Sequence, residues 1–231
     1  MKDLREVHSI SFNDIKNKIS LSEVSMKYPL PWRPIRALGM IRFTGRSYTS
    51  ERFHRILIMK TKMFRGEVCT VFICPKPEYR MPIFESETMF FGRKTIFFMD
   101  VMQTWSYDLE KFSGYDNLLK IRSKYSNELA DVIKPKGKIA EIFSPSLCYA
   151  NIRRESELKI LDLHKEYLDV YIESVSSAEK LRDETLILKA EKDFENFIKF
   201  TTDNDPAMKI LYKLYGEKEG RKRSYDLFYG K

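Results

Sequence analysis

The sequence predicts an α/β fold in which one antiparallel sheet lies between helical layers, and three observations predict it. Short runs rich in β-formers cluster between Met40 and Met102 and do not alternate with helical stretches, which argues against a doubly wound parallel sheet. Turn signals at Gly45, Arg65-Gly66, Pro75-Lys76-Pro77 and Gly92-Arg93 separate those runs, so consecutive strands can pair antiparallel. Two runs, Ile56-Leu57-Ile58-Met59 and Ile96-Phe97-Phe98-Met99, are apolar without alternation, and such strands have to be covered on both faces.

In chain order, Ile10, Phe12, Ile15, Ile19, Leu21 and Val24 suggest a short amphipathic helix followed by loop. Pro29, Pro31 and Pro34 then argue against regular structure. Strands are expected over Met40 to Thr44, Phe53 to Lys60, Val68 to Cys74, Ile83 to Phe91 and Thr95 to Met102. Asp116 to Val132 carries Leu118, Leu119, Ile121, Tyr125 and Leu129, a helical stripe ended by Lys134-Pro135-Lys136-Gly137. Ile139 to Phe143 and Leu147 to Ile152 read as two further strands. From Glu155 the apolar steps of three and four residues predict a helix, with others over Leu181 to Phe200 and from Pro206 onward. No repeat or linker interrupts the pattern, and residues 1–231 read as a single domain.

Composition narrows the function classes. With 231 residues and 43% hydrophobic content the chain can bury one full core, which excludes a disordered tail or a disulfide-stapled miniprotein. Forty-one Lys and Arg against 33 Asp and Glu give a formal charge of +8, which favours acidic partners. No RNP-like or helix-turn-helix signature directs that charge to nucleic acid. Cys69, Cys74 and Cys148 lie in apolar runs without a CxxC pair, so neither a zinc site nor a disulfide framework is expected. The charged start, Met1-Lys2-Asp3-Leu4-Arg5-Glu6, is unlike a signal peptide, and no stretch approaches the roughly 20 apolar residues of a membrane span. A soluble, cytoplasmic, monomeric protein is the expectation. Phosphate loops, nucleophile elbows and HExxH motifs are absent, and His8, His54 and His164 read as structural.

Two carboxylates stand out. Period-two alternation sets Glu87 on one strand face with Met89 and Phe91, and burial there would raise its pKa and make it a proton donor near neutral pH. The alternative is a glutamate ending a strand in water. Asn204-Asp205-Pro206 makes Asp205 or Asn204 a helix N-cap, with Pro206 at the first helical position. Asp100 reads as a strand-end hydrogen-bonding residue after an apolar run.

Two separated blocks carry a family resemblance. The first is Pro75-Lys76-Pro77-Glu78-Tyr79-Arg80-Met81-Pro82-Ile83-Phe84, with an acidic residue three positions on and a strand ending Met99-Asp100. The second is Asn204-Asp205-Pro206-Ala207, then Leu211, Leu214-Tyr215-Gly216-Glu217 and Leu227-Phe228. Together, in this order, they resemble the ferredoxin-dependent bilin reductases over residues 35 to 231, loosely from Gly114 to Ser144.

The resemblance implies a three-layer α/β/α sandwich with a central antiparallel sheet and an open-chain tetrapyrrole held between sheet and C-terminal helices. It implies no bound flavin, nicotinamide or metal; reduced ferredoxin supplies electrons singly, and side chains supply protons to bilin radicals. Glu87 falls where most relatives have an Asp that protonates the pigment, and its carboxyl lies about one methylene further out. Asp205 matches the helix-layer Asp, a second catalytic acid, and Asn204 stands beside it against the substrate. Thr70 falls where phycocyanobilin-forming members have a His; Thr is not a comparable acid, so that product is not expected. Phe84-Glu85 departs from the usual Phe-Gly. Arg153, with Arg154 as the nearby alternative, aligns with an Arg that binds a pigment propionate. Lys60, Lys62, Arg65, Arg93 and Lys94 fall at two hairpin turns, where the resemblance implies part of a surface for acidic ferredoxin and solvated turn charges are the alternative. The implied activity is reduction of biliverdin IXα or a dihydrobiliverdin to a phycobilin such as phycoerythrobilin. Red chlorophyll catabolite reductase-like activity and a non-catalytic bilin-binding carrier are the alternatives.

Overall fold

A computed structural model describes residues 4–31, 33–35, 39–104 and 109–231, so residues 1–3 of the charged start lie outside it. The strands are β1 (Ser22–Val24), β2 (Arg33–Ile35), β3 (Gly39–Thr49), β4 (Phe53–Met63), β5 (Gly66–Pro75), β6 (Ile83–Phe91), β7 (Lys94–Met102) and β8 (Cys148–Ile152). The helices are α1 (Val7–Lys18), α2 (Tyr115–Lys124), α3 (Glu157–Ser177), α4 (Glu184–Asn204), α5 (Pro206–Tyr215) and α6 (Glu217–Ser224). A π-helical turn, Tyr225–Tyr229, closes the chain. The sheet is antiparallel throughout, in the order β1-β3-β4-β5-β6-β7-β8, with β2 also on β3.

Strict alternation divides the sheet into two cores. Ile56, Ile58, Val71, Ile73, Phe84, Phe97 and Met99 point to one face, under α1, α2 and α3. Leu57, Met59, Phe72, Cys74, Ile83 and Met102 point to the other, under α4, α5 and the C-terminal turn. The two strands without alternation therefore lie between helical layers, as their sequence requires. The three-layer α/β/α architecture is the one the sequence predicts. No helix among the described residues is long and apolar enough to cross a membrane.

The structure corrects several local readings. Gly45 is no turn: it lies within β3 opposite Met59, where a Cβ would come 2.6 Å from the Ile58 carbonyl oxygen, so glycine marks a close strand approach. Ser22–Val24, read as loop, and Arg33–Ile35, read as unstructured for its proline, are short edge strands that share the outer side of β3. An edge position tolerates Pro34 because it needs no donor on its outer side. The Ile139–Phe143 strand is instead the 3₁₀ turn Lys138–Ile142, entered by Gly137 at φ +77°. Its apolar residues are spaced by three, which suits three residues per turn. The helix expected to Val132 ends at Lys124; beyond it the backbone of Asp131 to Ile133 hydrogen-bonds β8 and covers that sheet edge. Lys60 lies within β4, not in a turn, and Asp100 is internal to β7.

His164 of α3 is structural, as its sequence context suggests. It is 1% exposed between the rings of Phe84 and Phe97, and burial lowers its pKa to about 4 from 6.5. The unfolded chain takes up this proton below pH 6.5 and the folded chain resists it to about pH 4, so stability falls as pH drops through that window. Relative to His164→Leu, the wild type should lose about 3 kcal/mol of stability between those limits, read by urea denaturation at each pH.

Candidate active site

Strand β6 carries the site because its two faces are unequally covered. Phe84, Ser86, Thr88 and Phe90 are buried against the first helical layer, whereas Glu85, Glu87 and Met89 on the opposite face are only partly covered. That opposite face looks toward the C-terminal helices. Glu87 therefore does not end a strand in water: it stands within β6, partly covered, on the face that the C-terminal helices overlie.

Sheet register brings further polar groups to it. Thr70 of β5 lies directly opposite Glu87, and its Oγ1 donates to Glu87 Oε1 at 3.2 Å. Asp100 of β7 lies directly opposite Glu85, on the same face. Its carboxylate accepts from the backbone N–H and hydroxyl of Ser144, a residue that follows the 3₁₀ turn the sequence led us to expect as a strand. From the other layer comes Asp205, the N-cap of α5, which accepts from Ala207 N–H at 2.8 Å with Pro206 at the first helical position. Asn204 instead ends α4, donating Nδ2–H to the Phe200 carbonyl at 2.8 Å.

The cleft favours neutral acids. Burial raises the pKa of Glu87 to about 7; the Asp205 carboxylate adds to the rise and the Thr70 hydrogen bond opposes it. Glu85 is raised well above its ordinary value, by burial and then by Glu87, Asp205 and Asp100. Burial also raises Asp205 against its Ala207 bond, and raises Asp100 to about 8 against its bonds to Ser144. Among the described residues no cation acts on Glu85, Glu87 or Asp205 to reverse this. Glu87 is thus part protonated at neutral pH and Glu85 and Asp205 are shifted in the same direction, the condition for side chains that serve as acids.

Beside the acids the same sheet face opens into an apolar cavity of about 320 Å³, lined by Met26, Leu30, Phe43, Gly45, Leu57, Met59 and Leu227 among others. Met59 is the register partner of Thr70, and Thr70 of Glu87, so the cavity lies two strands from Glu87 along the same sheet face. An apolar cavity with directed polar groups further along the face suits a flat, elongated organic ligand. Among the described residues no three His, Cys, Asp or Glu side chains are placed to hold a metal ion. Arg153 and Arg154 are exposed just beyond β8, at the sheet end where the β4–β5 and β6–β7 hairpins turn.

Comparison with known proteins matches the family model described as ferredoxin-dependent bilin reductase over residues 40–222. The chain belongs to the ferredoxin-dependent bilin reductase family. A 15,16-dihydrobiliverdin:ferredoxin oxidoreductase of Gloeobacter violaceus is 25% identical over 93% of this chain and 90% of its own length. A phycoerythrobilin:ferredoxin oxidoreductase of Prochlorococcus marinus is 27% identical over 43% of this chain, and the match spans 47% of that relative. Phytochromobilin synthase from tomato, solved in complex with biliverdin, superposes with a TM-score of 0.81 over 98% of this chain and 83% of its own, at 17% identity; this likeness is one of fold.

Sequence reasoning identified Glu87, Asp205 and their opposed layers but passed over Glu85, noted there only as a departure from glycine. Its two-residue spacing from Glu87 was the available signal. For Thr70 the structure supplies a partner the sequence could not. Thr70→Val removes the bond that holds Glu87 down, so the Glu87 pKa should rise above about 7, read by carboxyl infrared titration.

Proposed function

We propose that this chain reduces an open-chain tetrapyrrole, biliverdin IXα or a dihydrobiliverdin, to a phycobilin such as phycoerythrobilin, with reduced ferredoxin as external electron donor. The observation that carries the reading is the pair of acids from opposed layers, Glu87 on the sheet and Asp205 at the start of α5, close enough to act on one another and both with raised pKa values, on the sheet face that also bears the apolar cavity. The near full-length likeness to a dihydrobiliverdin reductase supports the substrate class.

Ferredoxin delivers electrons one at a time, so the first addition leaves a bilin radical that takes up a proton, and a second electron and a second proton complete the closed-shell reduced bilin. Glu87 is suited to that transfer because its pKa of about 7 leaves it part protonated at neutral pH, where an acid both carries its proton and releases it readily. Thr70 orients Glu87 and takes no proton itself. Asp205 serves the other side of the pigment from a position fixed by its own helix cap. Asn204 flanks it, and the pigment's propionates extend toward Arg153 and Arg154, outside the apolar cleft.

The electron donor docks at the sheet end where both hairpins turn. Arg65, Arg93 and Lys94 are exposed there with Phe64, which is 78% exposed. Lys62 lies on the rung beside them, whereas Lys60 is partly buried and paired with Glu67 at 2.9 Å, which removes it from the surface. A basic rim around an exposed aromatic suits an acidic partner held briefly.

Anaerobic incubation with biliverdin, ferredoxin and a reducing system, followed by chromatography, tests the activity. Reduced bilin is the expected product; a shifted pigment spectrum without reduction would mark a carrier. Glu87→Gln should bind pigment as the wild type does and form product at least about 100-fold more slowly. Asp205→Asn keeps a competent N-cap, so the fold should survive while proton delivery from the helix side is lost. For the docking face, Arg65→Glu with Arg93→Glu should raise KM for ferredoxin about tenfold and leave kcat unchanged at saturating donor. An unaltered KM would place the donor elsewhere.

A further inference from the structure

We propose that Glu85 is a second proton donor on the sheet side of the cleft, so that β6 presents two acids to one face of the bound pigment; this rests on the bilin-reductase reading above. Glu85 and Glu87 stand two residues apart on one strand, which sets their Cα atoms about 6.7 Å apart on a common face. A conjugated tetrapyrrole lying flat on the sheet spans both. Glu85 is flanked in register by Phe72 of β5 and Asp100 of β7. The ring of Phe72 in turn meets Phe228 and Tyr229 of the C-terminal turn edge-on, at 5.3 and 5.6 Å.

Its neighbours differ from it in one respect. Asp100 is fully buried and committed to Ser144, and Asp205 is committed to the α5 cap. Glu87 is held by Thr70. Among the described residues the Glu85 carboxyl has no hydrogen-bond partner, and the residue is only partly covered. The titratable groups that act on it are Glu87 from its own strand, Asp100 from β7 and Asp205 from α5, and Tyr229 of the C-terminal turn faces it in return. The three carboxyl neighbours each favour the neutral form of Glu85 over its carboxylate.

The step balances without a further reactant. Reduction of a pigment double bond protonated from the sheet side takes two electrons from two reduced ferredoxins and two protons, one from the carboxylic acid of Glu87 and one from that of Glu85, while Asp205 serves a reduction protonated from the helix side. Two C–H bonds (or one C–H and one N–H on the conjugated system) form, both glutamates are left as carboxylates, and water on the open side of the cleft reprotonates them.

Glu85→Gln, which keeps the volume and removes the acid, tests the assignment beside the wild type and Glu87→Gln. Two measurements are made: pigment reduction followed by electron paramagnetic resonance and chromatography, and the infrared carboxyl spectrum of the pigment-free protein near pH 7. In Glu85→Gln the first radical should form as in wild type and persist, with product appearing about tenfold more slowly. The infrared band of a protonated carboxyl should be lost in the same variant. Wild-type turnover in Glu85→Gln without radical build-up overturns the assignment while leaving the bilin reading intact. Absence of bilin reduction by the wild type overturns the parent reading. A wild-type spectrum with no protonated carboxyl that Glu85→Gln removes overturns the assignment whatever the activity.

Discussion

Strand β6 has to serve two media at once, and the rest of the structure follows from how it does so. Its inner face, Phe84 to Phe90, is sealed by the first helical layer, while its outer face carries two glutamates that no cation among the described residues neutralises. Carboxylates are costly in such a place, and the site resolves the cost by keeping the protons on. The result carries a stability debit with a definite sign. Between pH 4.5 and about 7 folded Glu87 holds a proton that the unfolded chain has released, so this group favours unfolding progressively as pH rises through that interval. A sheet that tolerates the penalty retains acids where chemistry near neutral pH can use them.

The second layer has to be held over that face for the cleft to exist, and the C-terminal turn does much of the holding. Arg55 on β4 donates to the Asp226 carbonyl at 2.7 Å, and the Asp226 carboxylate accepts from the backbone of Tyr28 at 2.7 Å. Tyr229 meets the Thr201 hydroxyl at 2.7 Å, tying the turn to α4. These contacts fix the chain end on Phe72, beside the acids, and set the height at which Asp205 faces the sheet. Asp205 carries two demands that conflict: capping stabilises its charge, and burial opposes it. A side chain balanced between them can change protonation without unfolding its helix, because Pro206 holds the first turn regardless.

Much of this was legible in the sequence where local rules decide. Ile83–Phe91 and the face of Glu87 follow from period-two alternation, and the Asp205 cap follows from the Asp-Pro step. What was not legible depends on partners distant in the chain. The Thr70–Glu87 bond exists only in the observed β5–β6 register, and the exposed rim formed by Arg65 and Arg93 requires two hairpins to end at one side of the sheet. Gly45 reads as a turn in any local window, because nothing nearby in sequence reveals the Ile58 carbonyl against it. The Ile139 run has strand composition, but the two flanks of β8 were already taken by β7 and by the backbone of residues 131–133. Glu85 was passed over because comparison with a glycine position drew attention to backbone approach and away from the carboxyl itself.

The proposed function sets the pigment on this face of the sheet with the Glu87 carboxyl against it. A crystal structure of the protein with biliverdin, prepared anaerobically, reads that placement. The tetrapyrrole is expected between β4–β7 and the C-terminal helices, with a Glu87 oxygen about 2.6–3.2 Å from a pigment atom that accepts a proton. A pigment seated elsewhere, or Glu87 turned from it toward bulk solvent, would overturn the assignment of Glu87 as the proton donor.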